Sequence, residues 1–269
     1  MSKLYFNDFI FGKKIGKGSF GIVNKCSNIY TNKFYAIKTI KDEDKYRNAA
    51  LKEIKVLDHL MNIKNDINDN NFPIIDFYGD FIFDNIQYLV FELESENLYE
   101  FYVKNYFNIS LVLIKNITKQ LCKGLQYIHT KFIHNDLKPE NIMINLNTKN
   151  IKIIDFGSSV EKNKYRYSFY QQSRYYRSPE LIFHLQFNEK IDSWSLGCII
   201  GELICNKPLF KGKNERDLLF KMTEKLDLPK DYIYINSIKF NTYFTKLKED
   251  FGEEEEEEEE EEEYEYFRI

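Results

Sequence analysis

The stretch IHNDLKPEN, residues 133–141, brings three kinds of polar group together between apolar neighbours. Asp136 supplies a carboxylate, Lys138 an ammonium group and Asn141 a carboxamide. Their closeness indicates that the stretch serves chemistry, and the other motifs of the chain decide which chemistry.

The segment IKIIDFGSS, residues 151–159, predicts a short strand that ends at Asp155. A carboxylate at a strand end, followed by Phe and Gly, suits a hard cation, because Mg²⁺ takes few protein oxygens and completes its shell with water and phosphate. Asn141 would supply a second oxygen. An aspartate that only caps a turn is the alternative.

The segment IGKGSFGIV, residues 15–23, has the pattern G-x-G-x-x-G-x-V. Glycines let backbone amides approach phosphates closely and let a tight hairpin bend. An ordinary glycine-rich turn is the alternative. Strand-forming residues lie on both sides and no helix follows, which favours a flap over a nucleotide instead of a dinucleotide-binding fold.

Lys38 ends the apolar strand segment YAIK, residues 35–38, and is either a surface residue or a buried cation with partners. Glu53 lies on a predicted helix, beside its apolar face. Taken alone, Glu53 would be solvated. A pair between the two would hold the ammonium group against phosphate oxygens.

The elements that must position these groups change character along the chain. The first 90 residues predict mainly strands, at 5–23, 34–40 and 88–92. One helix interrupts them, with an apolar face formed by Leu51, Ile54, Leu57 and Met61. From about residue 97 two apolar stripes predict helices: Ile114, Ile117, Leu121, Leu125 and Ile128, then Leu196, Ile199, Ile200, Leu203 and Ile204. A boundary near 92–97 would place a cleft between a sheet lobe and a helical lobe.

Composition allows a sizeable core, since 43% of the 269 residues are hydrophobic. No signal peptide or membrane-spanning run is visible, and the four cysteines form no metal-binding pair. We therefore expect an intracellular protein, in the cytoplasm or nucleus. Eleven consecutive glutamates, residues 253–263, account for the acidity: without them the net charge of −4 becomes +7. The mildly basic body shows no basic–aromatic groove of the kind that binds nucleic acid.

Taken in order, the motifs resemble the signature set of the eukaryotic protein kinases. The glycine loop, the strand lysine, the helix glutamate, the catalytic loop, D-F-G, S-P-E at 178–180 and DSWSLG at 192–197 occur in register. The resemblance implies an α+β, two-lobed fold: a small β-sheet N-lobe with one main helix at 9–94 and a mostly helical, shortened C-lobe at 97–250. An acidic tail follows at 251–269.

The resemblance also implies roles and cofactors. Asp136 would accept or orient the proton of a substrate hydroxyl, Lys138 would neutralise the transferring phosphoryl group, and Asn141 and Asp155 would bind Mg²⁺. The sequence DLKPEN is similar to serine/threonine kinases, and protein substrates are implied. The implied ATP-binding residues are Ile15, Gly16, Lys17, Gly18, Ser19, Phe20, Gly21, Ile22, Val23, Ala36, Lys38, Glu53, Phe91, Glu92, Glu94, Met143 and Ile154.

The activation segment YQQSRYYRSPE, residues 170–180, is similar to that of the dual-specificity tyrosine-regulated kinases. This implies that Tyr170 is autophosphorylated, that Arg174 and Arg177 receive its phosphate, and that substrates carry proline after the phosphorylated residue. Tyr170 as a packed aromatic is the alternative. Asn135 stands where many kinases keep an arginine that binds an activation-loop phosphate.

The resemblance fails after about residue 244, where the family continues with further helices and an arginine that pairs with the glutamate of S-P-E, here Glu180. We therefore expect a truncated C-lobe with uncovered apolar side chains on the helix at 192–204, and a partner chain or self-association that covers them. A pseudokinase or kinase-fold interaction module without turnover is the alternative function.

Overall fold

The computed structural model describes residues 4–18, 20–69, 71–105, 108–162 and 171–226. The predicted α+β, two-lobed fold is confirmed: an antiparallel sheet with one long helix comes first, and a mostly helical lobe follows. The first lobe ends with a strand at Glu92 and the helices of the second begin at Leu98. The acidic tail and the outer limit of the second lobe lie outside these ranges and stay predictions.

The N-lobe sheet has five antiparallel strands in the order β1-β2-β3-β5-β4. They are β1 (Phe9–Lys17), β2 (Gly21–Asn28), β3 (Phe34–Ile40), β4 (Phe77–Phe83) and β5 (Ile86–Glu92). Residues 87–91 of β5 are all buried, as expected for a strand that is covered on both faces. One of those faces carries an aromatic cluster that includes Phe9, Phe81 and Tyr88.

Helix α1 (Asp44–Ile67) packs against this sheet and ends at Asn68, whose φ of 48° lies in the left-handed region that asparagine tolerates. The predicted helix exists, but the predicted face is partly wrong. Leu51 is exposed and Glu53 is buried. The buried face is rotated because Glu53 turns inward to meet Lys38, which no apolar periodicity can signal.

The C-lobe contains short strands and five helices within the described ranges. The strands are β6 (Glu96–Asn97), β7 (Phe132–Ile133), β8 (Ile142–Ile144), β9 (Ile151–Ile153) and β10 (Val160–Glu161). The helices are α2 (Leu98–Lys104), α3 (Leu111–Ile128), α4 (Pro179–Ile182), α5 (Lys190–Cys205) and α6 (Glu215–Thr223). None of the helices in the described part of the chain is long and apolar enough to cross a membrane.

The central helices of this lobe pack on each other. The predicted stripe of α3 is buried at all five positions. On α5, Leu196, Ile199 and Leu203 are buried, and Trp194 stacks on Phe210 with ring centroids 5.7 Å apart. The expectation of several uncovered side chains on α5 is therefore wrong, because α3 and the loop after α5 cover them. Among the predicted apolar residues of α5 only Ile204 is largely exposed, at 52%.

Glu180 opens α4. Its Oε2 atom is buried and has no hydrogen-bond partner among the residues that the structure describes. A buried carboxylate oxygen without a donor costs free energy, so this position is a local weak point of the C-lobe.

Candidate active site

The catalytic loop around Asp136 follows β7 and is anchored by hydrogen bonds to the first turn of α5. Asp192 on that helix is fully buried, and its two carboxylate oxygens accept the backbone N–H groups of His134 at 2.8 Å and Asn135 at 2.9 Å. Asn135 has a φ of 67°, a conformation that asparagine adopts more readily than most residues. These bonds fix the backbone directly before Asp136.

Asp136 lies at the centre of a small polar network. Its Oδ2 accepts Lys138 Nζ at 2.7 Å and Asn141 Nδ2 at 3.2 Å. Its Oδ1 accepts both the backbone N–H of Ser173, at 3.0 Å, and the Ser173 hydroxyl, at 2.8 Å. The Ser173 oxygen in turn accepts Lys138 Nζ at 2.9 Å. The structure thus brings the ammonium group of Lys138 and the carboxamide of Asn141 into contact with the carboxylate of Asp136.

Ser173 is a residue of this site that the sequence reasoning missed. It lies 37 positions after Asp136 along the chain, and a serine in a loop carries no chemical signal of its own. The one feature of the sequence that could have indicated its role is its position in the activation segment, between Gln172 and Arg174.

Lys38 makes the predicted pair with Glu53. The two atoms Nζ and Oε2 are 2.7 Å apart, and the side chains are only 12% and 3% exposed. Lys38 Nζ also lies 3.2 Å from Asp155 Oδ1. Burial disfavours the charge of Lys38, but the attraction of Glu53 and then of Asp155 outweighs it and raises the lysine pKa above its ordinary value.

The two carboxylates respond to this contact in opposite ways. Burial raises the pKa of Glu53, and the attraction of Lys38 opposes that rise only in part. For Asp155, burial also disfavours the charge, but the attraction and hydrogen bond of Lys38, together with the attraction of His134 and Lys138, outweigh burial and lower the pKa below its ordinary value. Lys38 and Asp155 are therefore both ionised near neutral pH, which the binding of phosphate and of a cation requires.

Asn141 and Asp155 fit a divalent cation by their chemistry. The Asn141 amide nitrogen donates to the Asp136 carbonyl at 2.8 Å, so its oxygen is left for a ligand. Asp155, with a φ of 62° and a side chain 31% exposed, keeps its second carboxylate oxygen clear of the bond to Lys38. One carboxylate and one amide oxygen, completed by phosphate and water, are a donor set that suits Mg²⁺.

The glycine loop folds over this region. Gly18 N donates to Gly21 O at 3.0 Å and closes the turn, and a Cβ on Gly21 would lie 2.1 Å from the Thr39 carbonyl oxygen. Phe20 rests on Gly157 of the D-F-G segment, where an added Cβ would approach its ring to 3.3 Å. Its ring also meets Tyr46 of α1 edge-on at 6.2 Å. Ser19 lies outside the described residues.

Strand register decides which predicted adenine contacts share a face. Val23 pairs with Lys38, and Ala36 pairs with Phe91. Because side chains two apart on a strand share a face, these four residues line one side of the sheet. The side chain of Ile22 points to the other face and is exposed, so a contribution of Ile22 to nucleotide binding would come from its backbone and stays a prediction.

Two further expectations for the cleft need refinement. The backbone N–H of Glu92 already donates to Asp76 O at 3.0 Å, so Glu92 can offer a nucleotide only its carbonyl. Ile15 is exposed at 43%, at the rim of the glycine loop. The remaining predicted ATP contacts, including Gly16, Lys17, Glu94, Met143 and Ile154, stay predictions.

The predicted phosphate-binding arginines differ in their surroundings, and Tyr170 itself lies outside the described residues. Arg177 is 1% exposed and donates to Gln171 O, Gln172 O and Glu215 Oε1 at 2.7–2.8 Å. It is therefore a structural link between the activation segment and α6. Arg174 donates to Lys213 O at 2.6 Å, and its buried Nε has no partner in the described part of the chain.

Comparison with known proteins agrees with this geometry. Residues 9–258 match the protein kinase domain family. The chain is 40% identical over 222 residues to the dual specificity protein kinase YAK1 of Saccharomyces cerevisiae, an alignment that covers 81% of this chain and 27% of the yeast protein. It is 43% identical over 235 residues to the YAK1 homolog of Arabidopsis thaliana, covering 86% of this chain and 24% of the plant protein.

The chain thus spans about a quarter of the length of these curated relatives. The family match extends over most of the chain and includes every motif described above. The resemblance to the dual-specificity kinases, first seen in the activation segment, is confirmed by both relatives. The chain belongs to the protein kinase domain family.

Proposed function

We propose that the chain is an ATP-dependent protein serine/threonine kinase that also phosphorylates a tyrosine of its own activation segment. The observation that carries the proposal is the network around Asp136, in which Lys138, Asn141 and Ser173 all lie within hydrogen-bond distance of one carboxylate. The buried contact of Lys38 with Glu53 and Asp155 supports it.

The proposed reaction moves the terminal phosphoryl group of ATP to a substrate hydroxyl. Asp136 accepts or orients the hydroxyl proton as the oxygen attacks phosphorus and the bond to ADP breaks. Its four acceptor positions are all taken by Lys138, Asn141 and Ser173. The substrate hydroxyl therefore displaces one donor, and the long 3.2 Å bond from Asn141 is the weakest of them.

Lysine side chains of the site stabilise the negative charge of the phosphoryl group during the transfer. Lys138 Nζ neutralises charge on the transferring group, and Lys38, held by Glu53, binds oxygens of the nucleotide phosphates. Asn141 and Asp155 would hold Mg²⁺, which supplies further neutralisation of the phosphates when bound.

A kinase-fold module that binds nucleotide without turnover is the competing hypothesis. In such a module no reaction depends on the positions of the polar groups of the site, so these groups could be replaced or lie apart. All of them are present and in contact, which favours turnover.

The test is transfer of radiolabelled phosphate from ATP to a generic protein substrate. Asp136→Asn should lower the rate by about 10²–10⁴-fold, the usual contribution of a general base, with ATP binding nearly unchanged. Asp66→Asn, the same chemical change at an exposed aspartate of α1, is the control. Near-normal transfer by the Asp136 variant, or none by the unaltered chain, would contradict the proposal.

Autophosphorylation of Tyr170 is proposed by resemblance to the dual-specificity relatives. Protein made in bacteria should carry phosphotyrosine at this position by mass spectrometry, and the Asp136→Asn protein should lack it. Active protein with only unmodified Tyr170 refutes this step. The unpartnered Nε of Arg174 supports a role in receiving the phosphate, whereas Arg177 already has three acceptors.

We further propose, from the same resemblance, protein substrates with proline after the phosphorylated residue. The four cysteines are free thiols, which supports a reducing compartment, the cytoplasm or nucleus.

A further inference from the structure

The segment that forms the first three strands carries lysines and no acidic residue. Residues 9–41 contain seven lysines and neither aspartate nor glutamate, although acidic residues occupy 42 of the 269 positions of the chain. Two of the seven have partners: Lys38 pairs with Glu53, and Lys41 lies over the ring of Tyr46. We call the other five the lysine surface: Lys13, Lys14, Lys17, Lys25 and Lys33.

The charge of the lysine surface is not neutralised within the described part of the chain. Four of its five lysines are exposed, and none of the five makes an ion pair or a side-chain hydrogen bond with a residue that the structure describes. Lys25 is half-buried, and its Nζ lies 4.1 Å from the ring centroid of Phe34. That contact leaves the positive charge of Lys25 without a counter-ion.

The acidic residues on either side of the segment are engaged elsewhere. Asp8, directly before β1, accepts the backbone N–H of Tyr5 at 2.8 Å. The three acidic residues at 42–44, directly after β3, pair with Arg47 and Lys45. The lysine surface is therefore left for an anion that comes from another part of the chain or from another molecule.

The lysine surface is long and narrow. The pairing of β1 with β2 runs from Phe9, opposite Asn28, to Lys17, opposite Ile22, which is about 26 Å of extended strand. Lys33, whose carbonyl oxygen accepts the backbone N–H of Asn28, lies at the first end of this length, and Lys17 lies at the other. The other three lysines lie between them. A linear anion suits such a surface better than a compact one.

Protection of a sheet edge explains only part of this pattern. β1 is an edge strand, and charged side chains there hinder pairing with another sheet. That role accounts for the three lysines of β1, although glutamate would also serve it. It does not account for Lys25 on the inner strand β2 or for Lys33 in the loop before β3. The pattern therefore indicates a ligand of opposite charge.

We propose that the lysine surface binds the chain's own run of glutamates, residues 253–263, which lies outside the described residues. The run has eleven consecutive carboxylates and no cation among them, and contact with ammonium groups offsets their mutual repulsion. Eleven extended residues span about 36–40 Å, enough to cover the whole surface. The proposal goes beyond the kinase function and does not depend on it.

The run is also connected closely enough to reach the surface. Residues 227–252 separate it from the end of the described chain, and 26 residues span at most about 90 Å when extended. A domain of this size is about 50 Å across. Because the run is tethered, its effective concentration at the surface lies in the millimolar range.

Cross-linking of the full chain tests the contact directly. A carbodiimide joins a glutamate to a lysine when carboxylate and ammonium group touch. We expect mass spectrometry to find links from residues 253–263 to the lysine surface at about 0.05 M salt, and to find them lost at about 1 M, where the Debye length is about 3 Å. No such link, or as many links to the exposed Lys115 and Lys119 of α3, would overturn the proposal.

A mixture of unlabelled and isotope-labelled protein separates the two possible sources of the glutamates. Links only within each isotopic form support binding of the run to its own chain. Links between the two forms in the proportion of random mixing would assign the surface to contact between two copies and overturn the proposal.

Binding of a free peptide measures the strength of the contact. A fluorescent peptide of eleven glutamates is titrated into the unaltered chain and into a variant with glutamine at residues 253–263. Five exposed ion pairs predict a Kd of about 0.1–1 mM for the variant. The unaltered chain should bind the peptide about two- to tenfold more weakly, because its own run competes. Equal Kd values would contradict the proposal.

Removal of lysines ties this binding to the surface. In the glutamine-tail variant, three exposed lysines are also changed: Lys13→Gln, Lys14→Gln and Lys33→Gln. Peptide binding should weaken about three- to hundredfold, since each exposed ion pair contributes about 1.4- to fivefold. The matched control removes three exposed lysines of α1 and α3: Lys52→Gln, Lys115→Gln and Lys119→Gln. Equal weakening in the control would assign the effect to net charge and refute the proposal.

The same titration with a single-stranded RNA of about eleven nucleotides, the residue count of the run, examines the other class of linear anion. Tighter binding of the RNA than of the peptide, without cross-links between the run and the surface in the unaltered chain, would assign the surface to nucleic acid and overturn the proposal.

Discussion

A group of charged side chains where the two lobes meet offers a quantitative test of the fold. Lys152 on β9 of the C-lobe lies 3.0 Å from Glu92 Oε1, at the end of β5, and 3.7 Å from Asp76 Oδ1, before β4. Asp76 also accepts Lys64 of α1, and its own N–H donates to Glu92 Oε1 at 2.7 Å. Lys152 thus links the helical lobe to the end of β5 and, through Asp76, to α1.

The size of this contribution follows from distance and burial. At an effective dielectric of about 20, a pair 3.0 Å apart attracts by about 5 kcal/mol before any cost is counted. The side chains of Lys152 and Glu92 are 11% and 20% exposed, so desolvation removes much of that gain. We expect Lys152→Met to lower the free energy of unfolding by about 1–3 kcal/mol, which lies between the values for exposed and fully buried pairs.

A double-mutant cycle measures the pair itself. Lys152→Met, Glu92→Gln and the double variant are compared by denaturant and thermal unfolding, where about 1–3 kcal/mol corresponds to a Tm shift of about 2–12 °C. The coupling energy should be about 1–2 kcal/mol. Lys115→Met, which removes an exposed lysine of α3, should change Tm little. A coupling energy below about 0.3 kcal/mol would refute the idea that this contact joins the lobes.

Two further predictions concern the site. Ser173→Ala should lower kcat about ten- to hundredfold with little change in the KM for ATP, because a hydrogen bond to the charged Asp136 is lost. The control is Ser173→Thr, which keeps the hydroxyl, and equal rates for the two variants would contradict the assignment. Asp155 has a lowered pKa, so it adds stability above about pH 4 that is lost as pH falls through its native pKa. In Lys38→Met, burial should instead raise the pKa of Asp155, so the contribution of Asp155 to stability changes sign. Unfolding curves measured between pH 2 and 6 give the change in the slope of the unfolding free energy against pH.

Much of the site could be predicted because its chemistry restricts residue type. Only a lysine, a carboxylate and a carboxamide can perform the roles of Lys38, Asp136 and Asn141, so their spacing along the chain carries the information. Ser173 was missed because its role is to position others, which a hydroxyl in any loop could do.

The predicted buried faces of the helices are right where apolar packing alone decides them and wrong where a polar contact overrides that packing. The stripe of α3 is buried as its periodicity predicts. On α1 the contact of Glu53 with Lys38 rotates the helix and exposes Leu51. The α5 residues are covered by Phe210 and α3, and no local pattern reports which distant segment returns to cover a helix.

The asparagine at position 135 shows how the catalytic loop is held without an arginine beside the catalytic aspartate. Its N–H donates to Asp192 Oδ1 at 2.9 Å, and its side-chain amide donates to Ser158 O at 3.0 Å, in the segment that follows Asp155. These bonds connect the loop before Asp136 to α5 on one side and to the metal-binding segment on the other. These contacts fix the backbone directly before Asp136, and Ser173 of the activation segment fixes its carboxylate.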